Sequence, residues 1–199
     1  MKSSLTIVLF CFAVLFQGCA AVVATGVVAG AATGISTAYD RRTFGTVIDD
    51  QSIELKASAT LRNDEVLHDS AHINVTSYNG MVLLTGETPN QELKKRATEL
   101  IQPIPNIKQI YNELDILAPS SLVSRSNDSW ITTKVKTKIA AEKGVNPTRV
   151  KVVTERGTVY LMGLVTAREA ELATTIARHT QGVQRVVKIF EYLPETDLE

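Results

Sequence analysis

The 199-residue chain has little of what usually advertises chemistry. It contains 2 cysteines, Cys11 and Cys19, which excludes a multi-disulfide scaffold and a cysteine-rich zinc site. There is no P-loop, no paired-cysteine motif and no Ser/His/Asp order, and only His68, His72 and His179 offer imidazoles. Aromatic residues make up 6%, with Trp130 the one tryptophan, so a core must be built mostly from Val, Ile, Leu and Ala. An excess of either charge is also missing. The 21 Lys and Arg are matched by 21 Asp and Glu, which argues against a general nucleic-acid binder with its phosphate-neutralising basic surplus. What remains is 44% apolar and 21% charged, the balance of a globular chain, long enough for one large domain or two small ones.

His68 and His72 lie near Asp64, Glu65 and Asp69, but in a helix-to-strand connection that reads as a solvated loop. No catalytic residue, no metal ligand and no cofactor is therefore expected, and the chain reads as a non-enzyme.

Residues 1–18 have the layout of a secretion signal, with Lys2 ahead of an uncharged apolar run from Leu5 to Phe16. Phe16-Gln17-Gly18-Cys19 resembles the lipobox of bacterial lipoproteins, which implies cleavage before Cys19 and acylation of that residue. Several acyl chains anchor stably, each buried methylene contributing about 0.8 kcal/mol. An uncleaved membrane helix is the alternative, but Ala20–Ala38 is rich in Ala, Gly and Thr and lacks the Leu, Ile and Phe density of a good span. Residues 19–48 then form a lipidated cysteine and a flexible tether. Gly26, Gly30 and Gly34 fit such a tether as well as a helix-dimerisation spacing.

The rest is an internal repeat. Ile53, Ala57 and Leu61 superpose on Ile131, Val135 and Ile139, each set one buried face of a helix. Ile73–Gly86 superposes on Val150–Gly163, two hairpins that turn at Asn79-Gly80 and Arg156-Gly157, with Gly80, Gly86, Gly157 and Gly163 as matching structural glycines. Thr88-Pro89-Asn90-Gln91 and Thr166-Ala167-Arg168-Glu169 read as capping boxes that open a second helix, Pro89 at its first position. Ile107–Leu117 and Val183–Leu193 close the units as strands.

The order is α-β-β-α-β twice, an α+β fold in which each three-stranded sheet is covered by two helices. The units run over residues 49–117 and 128–193, joined by a Pro/Ser-rich linker at 118–127 and followed by a short tail at 194–199. Units this small need further support, so the copies are expected to pack on each other or on the tether.

This unit, with its glycines at the hairpin and at the end of the second strand, resembles the BON domain. Gly45-Thr46, Asp49-Asp50, His72-Ile73-Asn74-Val75-Thr76 and Asn127–Val135 resemble two-copy members of that family anchored as outer-membrane lipoproteins facing the periplasm. The resemblance implies phospholipid binding and support of outer-membrane integrity, without catalysis.

The copies differ on one helix. Trp130, Lys134, Lys138 and Ala141 share a stripe beside the core stripe, where the first copy has Ser52, Lys56, Thr60 and Asn63. An indole suits the headgroup–acyl boundary and lysines attract anionic lipid. Trp130, Ile131, Lys134 and Lys138 are therefore expected to contact an anionic phospholipid membrane, with Lys136 and Arg149 as rim charges. Packing of Trp130 against the other domain is the alternative at this level. Residues 49–117 carry 6 basic and 11 acidic side chains, and residues 128–193 carry 11 basic and 6 acidic, so the neutral total hides an acidic unit and a basic one. Those opposite signs also suit docking of the copies. A monomer is expected, and an adaptor that docks an envelope or cell-wall-remodelling protein through the same surface is the competing reading.

Overall fold

The computed structural model describes residues 40–118 and 120–194. The expected signal, Cys19, the Gly26/Gly30/Gly34 spacing and the tail beyond residue 194 lie outside the described residues.

The first helix, α1 (Phe44–Asn63), buries Ile53, Ala57 and Leu61, the stripe read from their spacing. It begins inside the expected tether because Thr43 adopts extended geometry and its side chain accepts the Thr46 N–H. Asp64 ends α1 and caps the six-residue α2 (Glu65–Ser70), whose Leu67 plugs the core. β1 (His72–Tyr78) and β2 (Met81–Thr88) then pair antiparallel, so the stretch expected as a solvated loop is corrected: His68 stands in α2 and His72 opens β1. Their turn places Asn79 and Gly80 at φ 53° and 77°, the left-handed geometry such a two-residue turn demands.

α3 (Gln91–Ile101) follows, and here the expected capping box is corrected. Asn90 is the cap, accepting the Leu93 N–H, so Pro89 stands before the helix rather than at its first position. The closing strand is also interrupted. β3 (Gln109–Asn112) runs parallel to β2, the chain dips so that Leu114 is 1% exposed, and β4 (Asp115–Ile116) resumes against β2.

In the second copy α4 (Leu122–Ala141) starts at the Ser121 cap, so most of the segment expected as linker is helical. A 3-10 turn at Pro147–Arg149 leads into β5 (Val150–Glu155), which pairs antiparallel with β6 (Thr158–Val165) around Arg156-Gly157. α5 (Ala167–Arg178) has the expected Thr166–Glu169 capping box, and β7 (Arg185–Tyr192) lies parallel to β6. The later matched glycines mark close approach. A side chain on Gly86 would collide with the His72 carbonyl, and one on Gly163 with the Arg149 carbonyl.

Val82 and Leu84 of β2 face the first pair of helices, and Val159 and Leu161 of β6 face the second. Their alternate neighbours meet in a third cluster: Met81 and Leu83 pack with Tyr160, Met162, Tyr78 and Ile189. Each sheet thus has helices on one face and the other sheet on its second face, which supplies the support expected from packing of the copies. Six large side chains buried there contribute on the order of 10 kcal/mol before the cost of ordering them. Burial pushes the phenols of Tyr78 and Tyr160 up to about 12.

One carboxylate per copy fastens helix to hairpin. Asp50 accepts the Asn79 and Gly80 N–H groups at 2.7 and 2.9 Å, and the Ser77 hydroxyl at 2.6 Å. Asp128 accepts the Arg156 and Gly157 N–H groups at 2.9 and 2.8 Å. Both are buried, so the charge-assisted bonds are shielded from water. Asp128→Ala is expected to lower the free energy of unfolding by about 3 kcal/mol, because two turn amides lose their acceptor. Asp50→Ala should cost at least as much, since the Ser77 hydroxyl and one arm of the Arg42 guanidinium lose their acceptor as well. Urea denaturation monitored by circular dichroism measures both.

Candidate functional site

The exposed face of α4 is set by its buried one. Ile131, Val135 and Ile139 point wholly into the core, which rotates Trp130 outward to 62% exposure. Val123, seven residues earlier, lies on the same face and is 79% exposed. The Lys134 ammonium sits 6.0 Å from the indole centroid and donates to the Gln181 carbonyl at 2.6 Å. Lys138 reaches the His179 carbonyl at 3.3 Å. Both lysines therefore stand over the C-terminal end of α5, where backbone carbonyls favour positive charge. Beside Lys138, a cleft of about 370 Å³ between α4 and α5 mixes this cation with Ala141, Ile176 and His179. An indole, ammonium groups and a partly apolar cleft share one surface.

The structure separates the remaining expected contacts from this surface. Ile131 is 0% exposed, so its place in the lipid-contact set is corrected: it is a core residue of α4 packed against the turn at Gly182. Lys136 is exposed but lies on the opposite flank, lining a cleft with Arg42, Tyr78 and Lys151. Arg149 is no rim charge of the Trp130 surface. Its guanidinium pairs with Glu169 at 3.0 Å, and its carbonyl accepts the Tyr78 hydroxyl at 3.3 Å. The alternative, packing of Trp130 against the other domain, is not what the structure shows, given its exposure.

Two features escaped sequence reasoning. Val123 fell in the expected linker, though its seven-residue spacing from Trp130 was visible. The first-copy helix also carries exposed apolar residues, Phe44, Ile48 and Leu55, at positions not matched to the Trp130 stripe. The helix of the acidic unit is therefore less bland than its aligned positions indicated.

The segment entering α1 is fastened at the seam between the copies. Arg41 pairs with Glu169 at 2.6 Å and donates to the Leu164 carbonyl, while Arg42 lies 3.9 Å over the Tyr78 ring and pairs with Asp50 at 2.9 Å. Among the described residues no helix is long and apolar enough to cross a membrane.

Two α-β-β-α-β units of this geometry are matched by the sequence profile of the BON domain over residues 49–118 and 127–194, and the chain belongs to the BON-domain family. It is similar to the outer membrane lipoprotein DolP of Haemophilus influenzae, 39% identical over 180 residues that cover 90% of this chain and 91% of that one. A 21 kDa hemolysin of Actinobacillus pleuropneumoniae is 38% identical over 77% of this chain and 79% of its own length. The osmotically-inducible protein Y of Escherichia coli is 26% identical over 71% of this chain and 72% of its own. The chain is an outer-membrane lipoprotein with two BON domains.

Glu169 supplies a pH-dependent fastening. Burial alone raises its carboxyl, but the Thr166 amide and the Arg41 and Arg149 guanidiniums outweigh burial and hold it below the ordinary glutamate range. A lowered folded-state value stabilises the fold above the unfolded value of about 4.3 and ceases to do so as pH falls through the folded-state value. Glu169→Gln is expected to cost about 1–3 kcal/mol at neutral pH, a value reduced by the partial exposure of its partners. The gap between wild type and variant should narrow as pH falls below about 4. Urea midpoints at neutral and acid pH measure it.

Proposed function

We propose that the chain is a lipid-anchored periplasmic binding module, tethered through acylated Cys19, whose second BON domain lays the Trp130 face of α4 on anionic phospholipid. The observation that carries this reading is the exposure of Trp130 with Lys134 beside it, on a helix whose buried stripe is fully satisfied elsewhere. Such a helix lies flat on the interface, with only its few exposed apolar side chains reaching a few ångströms below the headgroups. Val123 and Trp130 enter the boundary, and Lys134 and Lys138 meet phosphate, each lysine contributing about 1 kcal/mol near an anionic surface. The basic excess of residues 128–193 reinforces that attraction. The activity is recognition of membrane in support of outer-membrane integrity, not turnover.

Co-sedimentation of residues 20–199 with liposomes tests the reading without the acyl anchor. Binding is expected to prefer anionic vesicles and to weaken with salt. Trp130→Ala and Lys134→Glu should each reduce affinity about tenfold, the scale of one interfacial side chain or one reversed charge. Equal binding by all variants, or indifference to lipid charge, contradicts it. Docking of an envelope protein through the same face is the alternative. It would be favoured if a photo-cross-linker at position 130 captured proteins in cells while the purified chain bound no lipid.

A further inference from the structure

At the seam between the domains, His72 opens β1 and Glu87 stands directly across from it near the end of β2, the two being register partners. Glu155, the last residue of β5, comes from the second domain. One ligand-type atom from each of these three side chains lies within 4.8 Å of the others. His72 Nδ1 and Glu87 Oε2 form a long hydrogen bond of 3.3 Å, a separation that also matches the edge of a tetrahedron whose metal bonds are about 2.0–2.1 Å. We propose that His72, Glu87 and Glu155 form a zinc-binding site that bridges the two domains.

The internal repeat supplies the comparison. Under the alignment of the copies, His72 corresponds to Arg149, Glu87 to Leu164 and Tyr78 to Glu155. The matching pole of the seam therefore holds Arg149, Leu164 and Tyr78, and closes with a tyrosine hydroxyl on a backbone carbonyl. The fold does not require two acids here. Yet Glu87 is 0% exposed and Glu155 is 7% exposed, and burial together with the Glu87 charge pushes the Glu155 carboxyl up.

Glu87 Oε1 is buried without a hydrogen-bond donor, and its partner is the Arg156 guanidinium, an ion pair at 3.5 Å. Of the other groups near Glu155, the Asn74 amide donates to Oε2 at 3.1 Å, and Asp128 is occupied by the turn amides. Arg156 offsets only part of the two carboxylate charges from that distance, and a cation of charge two would be held directly by both glutamates, with neutral imidazole as the third ligand and water as the fourth. Asn74 and Arg156 then orient the carboxylates from behind. A cleft of about 310 Å³, lined by His72, Asn74, Arg125, Asp128, Thr132 and Glu155, gives the ion a way in.

Titration of zinc chloride into the full-length chain in detergent, after chelator treatment, tests the proposal calorimetrically. One zinc per chain is expected, with a rise in Tm reversed by chelator. His72→Ala and Glu155→Gln should each weaken binding at least about tenfold, while His68→Ala and His179→Ala leave it intact. Circular dichroism in chelator establishes that each variant is folded, and if His72→Ala is not, the isosteric Glu155→Gln decides. Absence of binding at 100-fold excess zinc, or binding indifferent to Glu155→Gln, overturns the site.

Discussion

Burial of both faces of β2 and β6 is the constraint from which the rest of the architecture follows. Antiparallel hairpins often leave one face to water, but here Met81 and Leu83 lie against Tyr160 and Met162 instead. The chain has few aromatic residues and places Tyr78 and Tyr160 in this layer. With the sheets consumed by each other and by the helices, the outer faces of the helices are broad surfaces left for recognition. α4 then exposes an indole because its own buried stripe is already complete.

Much of this was legible because it rests on local spacing. Helical stripes, the two hairpins, the matched glycines and the Thr166 capping box are each written within a dozen residues. The close packing at Gly86 and Gly163 gives those matches a physical cause. Elements set by capping competition were less legible: Asn90 prevails over Thr88 as the cap of α3, and Thr43 and Ser121 extend both first helices into segments that read as tether and linker. The kink at Leu114 and the short α2 carry no periodic signal.

The candidate site was legible in part for the same reason. Trp130, Lys134 and Lys138 stand on one helix, so helical geometry alone brings them together. Ile131 is adjacent in sequence but turned into the core. Arg149 is drawn away by Glu169, a partner beyond β6, and long-range ion pairs leave no trace in spacing. The same holds for Asp50 and Asp128, which matched in the alignment while their acceptor role depended on turn amides nearly 30 residues downstream. The grouping of His72 with Glu87 and Glu155 is farther still from sequence view, because Glu155 belongs to the other domain.

Zero net charge thus resolves into a division of labour: an acidic domain and a basic one fused along a seam with an apolar centre, the basic one carrying the exposed indole. Since Trp130 is the one tryptophan, its fluorescence reports this surface without labelling. The most direct measurement is emission of the full-length chain in anionic bilayers containing lipids brominated at shallow or deep acyl positions. Blue-shifted emission is expected, quenched more by shallow than by deep bromines, with quenching lost in zwitterionic bilayers. Emission at the wavelength of a water-exposed indole, unquenched at every depth, would contradict it.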